Sequence, residues 1–154
     1  MRPQRWRISA PAGWNDNLTG NLIRKEVRVE ATLKIIVLVE DLIFLSKIQQ
    51  TAKLTGVEIE SVPLQRLGER LANRSDVSAV IFDLNHRSGQ AVEALRAMKS
   101  DPQNTRIPAI AFLSHVQTGL AKDAREAGCD LLIARSAFTA QLPDLLRRYS
   151  AIPA

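Results

Sequence analysis

Between residues 33 and 149, short apolar runs alternate with stretches whose apolar residues recur every three or four positions. Leu33 to Val39 is one such run, and it ends in the acidic pair Glu40-Asp41. Val77 to Leu84 is another, with Asp83 near its end and Asn85 just beyond. Runs of this length, with β-branched members and polar flanks, predict strands buried on both faces of a parallel sheet. Ala109 to Leu113, followed by Ser114-His115, and Leu131 to Ala134, followed by Arg135-Ser136, predict two more. Val57 to Val62 alternates with period two and stops at Pro63, the pattern of a half-exposed strand at a sheet edge.

The stretches between the runs read as helices. Leu45, Ile48 and Ala52 share one face of the first, and Gly56 stands where a left-handed cap belongs. Leu64, Leu67 and Leu71 mark a second. Gly89 opens a third, striped by Val92, Leu95 and Met98 and closed by Ser100-Asp101-Pro102. The fourth has a thin face of Ala121, Ala124 and Ala127, with Gly128 in the capping position. Leu142, Leu145, Leu146 and Tyr149 stripe the last, whose Pro143 falls in its first turn. Five strands alternating with five helices predict an α/β fold with a parallel sheet covered on both faces. The crossovers are expected to be right-handed.

Composition narrows the class. A chain of 154 residues with 45% apolar content suits one globular unit. The single Cys129 excludes an internal disulfide framework and reads as a small buried residue without chemistry. The longest apolar run is too short to cross a bilayer, and the N-terminus lacks the apolar core of a signal peptide. A soluble cytoplasmic protein is expected, with no membrane partner. Residues 1 to 33 carry six Arg/Lys against three Asp/Glu, about half of the net charge of +5. Their basic residues show neither helical periodicity nor a dense run, so residues 1–32 are expected to form a solvated, poorly ordered basic extension ahead of a domain over 33–154. Nucleic acid is not an expected partner. His86 and His115 read as exposed loop residues.

The chemistry gathers at the strand ends. In open α/β sheets ligands bind outside the carboxyl ends of the strands, where strand order reverses. That edge is predicted to carry Glu40, Asp41, Asp83, Ser114 and Arg135. Neighbouring carboxylates raise one another's proton affinity unless a cation joins them. Hard oxygen donors with open water positions suit Mg²⁺ together with phosphate oxygens. A metal-assisted phosphoryl site follows from the residues alone.

From Leu33 to about Tyr149 the chain resembles the receiver domain of two-component response regulators. The resemblance rests on Glu40-Asp41, on Asp83 in AVIFDLN, on Ser114 in PAIAFLS and on GCDLLIAR near the end. It implies a flavodoxin-like (CheY-like) fold with strand order 2-1-3-4-5. It implies further that Asp83 accepts a phosphoryl group from a sensor histidine kinase or a phosphotransfer protein. Asp41 and Asp83 would bind Mg²⁺ directly, Glu40 through water, and Asn85 through its carbonyl. Ser114 would hydrogen-bond the phosphate, and Arg135 would take the place of the family's lysine.

The chain departs from the family's pattern at several switch positions. Ser136 stands for the proline after the lysine, and Leu132 stands for the aromatic residue three positions before it. His115 follows Ser114 where a small residue is usual, and the loop Asn85-His86-Arg87-Ser88-Gly89 is short and lacks Met-Pro. Two readings stay open. One is a stand-alone receiver, not an enzyme beyond its own phosphotransfer and dephosphorylation, signalling by protein contact through the fourth helix, fifth strand and last helix. The other is a pseudo-receiver, the same fold used as a phosphorylation-independent interaction module. A flavodoxin-type nucleotide binder is disfavoured, because Leu42-Ile43-Phe44 follows the first strand in place of a Gly-rich loop.

Overall fold

The structure, a computed structural model, describes residues 32–114 and 117–151. The extension expected over residues 1–32 lies outside the described residues save for Thr32, as does His115. From Leu33 the chain forms one compact unit.

Five parallel strands run in the order β2-β1-β3-β4-β5, as the resemblance implied. They are β1 (Lys34–Leu38), β2 (Glu58–Ser61), β3 (Val77–Asp83), β4 (Ala109–Leu113) and β5 (Leu131–Ala134). All seven residues of β3 are buried, because the strand is paired on both sides and covered on both faces. β2 lies at the edge, but its exposure does not alternate as its period-two pattern predicted: Glu58 and Ser61 are exposed while Ile59 and Glu60 are both half-buried, Glu60 because Arg70 covers its carboxylate at 2.8 Å. Strand order reverses between β1 and β3. Register there places Leu38 beside Phe82, and on the other side Asp83 beside Phe112.

The first helix, α1 (Leu42–Thr55), buries Phe44, Leu45, Ile48 and Ala52. Gly56 ends it in the left-handed region, φ +75°, a conformation that glycine adopts without a Cβ clash. The predicted second helix is broken into three pieces. Leu64–Arg66 and Leu71–Asn73 are 3₁₀ turns around a single α turn, α2 (Leu67–Arg70). Leu64, Leu67 and Leu71 nevertheless all face the core. The third helix, α3 (Ala91–Ser100), starts after Gly89, which sits in the preceding turn at φ +72° and does not open the helix. Next come α4 (Thr118–Glu126), α5 (Arg135–Ala140) and α6 (Leu142–Arg148). α5 lacks a predicted counterpart, because Phe138 is its only buried side chain and one apolar residue makes no stripe.

Two apolar layers hold the sheet. On one face Ile36, Leu38, Val80, Phe82 and Ala111 pack against Leu67, Leu95, Met98 and Ala124. On the other Ile35, Val37, Ile81, Ile110 and Phe112 pack against Phe44, Ile48, Phe138, Leu142 and Leu146. Each fully buried side chain of this size contributes about 1.5–3 kcal/mol. The sheet is thus a rigid frame that delivers β1, β3 and β4 to one edge. Among the described residues no helix is long and apolar enough to cross a membrane.

Candidate functional site

The site is built at the carboxyl ends of β1 and β3. Asp83 ends β3 with 7% of its surface exposed, and its Oδ1 accepts the Asn85 N–H at 2.9 Å. Burial pushes its carboxyl pKa above the usual aspartate value of 3.8, because a low-dielectric setting disfavours the charged form. The Asn85 N–H, Arg135 and His86 act in the opposite direction, while the charge of Asp41 adds to the rise. The Asp41 carboxylate, which follows β1, therefore acts on Asp83 across the point where strand order reverses.

Asp41 plays a different part. Its Oδ1 accepts the Ile43 and Phe44 N–H groups at 3.0 and 3.1 Å, capping α1. Its Oδ2 takes Arg135 Nη2 at 3.2 Å. The Phe44 N–H, then Arg135, hold its pKa below the ordinary value. An aspartate immediately before an apolar helical pattern can be a cap as well as a ligand, and the structure shows the cap. Arg135 is the first residue of α5, and its guanidinium carbon lies 4.0 Å from the centre of the Phe44 ring, a cation–π contact. That ring is supported by Phe112 at 5.3 Å and Phe138 at 5.9 Å between centroids.

His86 corrects the expectation of an exposed loop residue. It is 7% exposed, with Nε2 3.0 Å from Glu40 Oε1 and Nδ1 2.9 Å from Ser88 Oγ. The short polar loop after β3 turns inward through the bonds His86 N–H to Asp83 O and Gly89 N–H to His86 O, and this buries the ring. Glu40 is thereby directed to an imidazole. Asn85 ties two strand ends together, since its Oδ1 accepts the Ser114 N–H at 2.7 Å and its Nδ2 donates to Gln117 Oε1 at 2.7 Å. Ser114 stands exposed at the end of β4.

Phe44 and Gln117 are site residues that the sequence did not assign to the site, while His86 was read as exposed. Only Phe44 carried a signal, as the third residue after the acidic pair. Cys129 is only partly buried, with its Sγ 2.9 Å from the Leu131 carbonyl and its thiol pKa pushed up by burial.

No family model matches the chain, and no curated protein does. Solved structures do. A phosphorylated cyanobacterial phytochrome response regulator, RcpA, aligns at 24% identity and TM-score 0.61, over 77% of this chain and 91% of its own. The Mn²⁺-bound form of the response regulator Rcp1 aligns at 16% and 0.63, over 79% and 99%. A response regulator receiver domain from Rhodospirillum rubrum aligns at 21% and 0.62, over 79% and 97%. The fold is that of response regulator receiver domains. At these identities the likeness concerns the fold, and the chemistry must come from the residues in place.

Those residues do not form a metal cage as they stand. Among the described residues, no three His, Cys, Asp or Glu side chains gather so as to hold an ion. Glu40 is turned to His86, and the two oxygens of Asp41 are given to the α1 cap and to Arg135. The edge does bring Asp41, Asp83 and Arg135 under one another's field, with Asn85 joining Ser114 to the same edge.

Proposed function

We propose that this chain is a receiver of phosphorelay signalling, in which Asp83 accepts a phosphoryl group from a phosphohistidine and a protein partner reads the result. The observation that supports the reading is the place of Asp83. It is a buried carboxylate at the end of the central strand of a receiver fold, at the reversal of strand order, within the field of a guanidinium. An aspartate nucleophile splits phosphoryl transfer into two easier steps. One carboxylate oxygen forms its bond to phosphorus as the phosphorus–nitrogen bond of the donor imidazole breaks, and the imidazole takes up a proton.

The chain's own groups do the positioning. The Asn85 N–H fixes Oδ1, which leaves Oδ2 for phosphorus. Arg135 supplies positive charge at the same edge, where the transferring group carries negative charge on its oxygens. Ser114, whose N–H is bound to Asn85 Oδ1, is the hydroxyl that takes a phosphate oxygen and draws its loop inward. Beyond its own phosphotransfer and dephosphorylation the domain is not an enzyme.

The donor is a sensor histidine kinase or phosphotransfer protein of the cytoplasm. The exposed Leu42 and Ile43, 77% and 86% accessible beside the acidic pair, offer it an apolar foothold. Output runs through α4, β5 and the helices that follow, where a groove of 260 Å³ is lined by Leu113, Ala121 and Leu132. The contacts Arg135–Asp41 and His86–Glu40 favour a second reading, the pseudo-receiver, because both draw acidic groups away from a metal.

The test is the intact mass after incubation with acetyl phosphate, once with excess Mg²⁺ and once with a chelator, for the wild type and Asp83→Asn. One added phosphoryl group on the wild type and none on the variant is the expected result. A wild type without the adduct under both conditions overturns the acceptor role and leaves the pseudo-receiver.

A further inference from the structure

We infer that the Arg135 guanidinium is the resident cation of this site, occupying the role a divalent ion takes between acidic strand ends and keeping such ions out. The inference deepens the proposed receiver reading and rests on it for the meaning of the edge, but not for its geometry. Clustered carboxylates need a counter-charge. Here it comes from within the chain: Arg135 Nη2 lies 3.2 Å from Asp41 Oδ2, and its positive charge acts on Asp83 as well.

The guanidinium is held from three sides. Its backbone opens α5, its face lies 4.0 Å from the Phe44 ring centre, and its edge meets Asp41. Phe44 is itself fixed by Phe112 and Phe138, which are fully buried. A planar guanidinium can stack on a ring and bond a carboxylate edge at once, whereas a lysine ammonium is a compact point charge that cannot do both. The other acidic donor after β1, Glu40, is removed from the edge by the buried His86. A divalent ion would have to displace Arg135 from Asp41 and then sit beside its positive charge.

The measurement is Mn²⁺ titration of the ¹⁵N-labelled chain, reading paramagnetic broadening of the Asp41, Asp83 and Leu84 amide signals in the wild type, Arg135→Ala and Arg135→Lys. Retained signal dispersion elsewhere confirms that each variant is folded. Arg135→Ala is expected to bind Mn²⁺ at least about tenfold more tightly than the wild type, with Arg135→Lys in between, as removal of a neighbouring positive charge requires. Equal broadening in the wild type and Arg135→Ala overturns the inference. So does an absence of broadening in all three, which would mean that no metal site lies behind the arginine. The phosphoryl adduct is scored separately on the same samples, so loss of the acceptor reading leaves the metal comparison intact.

Discussion

At the amino ends of β4 and β5, Asp130 Oδ2 takes Lys99 Nζ at 2.7 Å and the Ala109 N–H at 2.7 Å, while Lys99 also donates to the Ile107 carbonyl at 2.7 Å. At the carboxyl end of β3, Asp83 is more deeply buried than Asp130 yet makes no ion pair among the described residues, and its pKa rises. Both ends hold a carboxylate near a strand terminus and a basic side chain from a helix. Only one pairs them directly. A charge paired and hydrogen-bonded at short range is a staple, whereas a charge left desolvated is kept against stability, which is the mark of a working group.

Breaking the staple should give the largest effect. Lys99→Met keeps the apolar stem but removes the ammonium, leaving Asp130 and the Ile107 carbonyl to water. A side chain only 10% exposed against a partner 46% exposed places the cost at about 2–3 kcal/mol, below that of a fully buried pair. Urea unfolding should show a lower midpoint with an unchanged slope, and phosphoryl uptake at Asp83 should persist.

The opposite sign is expected at the other end, with a smaller magnitude. Asp83→Asn retains the acceptor for the Asn85 N–H and removes the buried charge, so stability at pH 7 should rise by on the order of 1 kcal/mol. A carboxyl whose folded pKa lies above its unfolded one destabilises the fold at neutral pH. That penalty fades as pH falls through the folded pKa and is gone only below 3.8, where both states are protonated. The gain from Asp83→Asn should therefore be full at neutral pH and vanish at the acid end. A constant gain, or a loss, would show that Asp83 is not a desolvated carboxylate.

The same contrast explains what the sequence made legible. Buried strands announce themselves as apolar runs, so β1, β3 and β4 and the arrival of Asp83 and Ser114 at one edge were readable. Unbroken helices with stripes were readable too, down to the turn in which Pro143 falls, whereas the Leu64, Leu67 and Leu71 stripe gave the buried face but not the break into two 3₁₀ turns around one α turn. α5 was not, since Arg135 to Ala140 holds only Phe138 for the core. Nor was the burial of His86, because loop residues carry no periodicity and its partner Glu40 lies on another strand end. The acidic pair could be read as cap or as ligand, and spacing cannot choose between them. Arg135, 94 residues away in the chain, completes the arrangement around Asp41. Contacts of that kind are set by the fold, not by local pattern.

The acceptor claim is tested most directly at the level of the single residue. After incubation with acetyl phosphate, borohydride reduces an acyl phosphate of aspartate to homoserine, and peptide mass analysis locates it. Homoserine at position 83, with position 41 still aspartate, is the result expected from a buried acceptor beside a capping carboxylate. Homoserine at position 41, or at neither position, would contradict it.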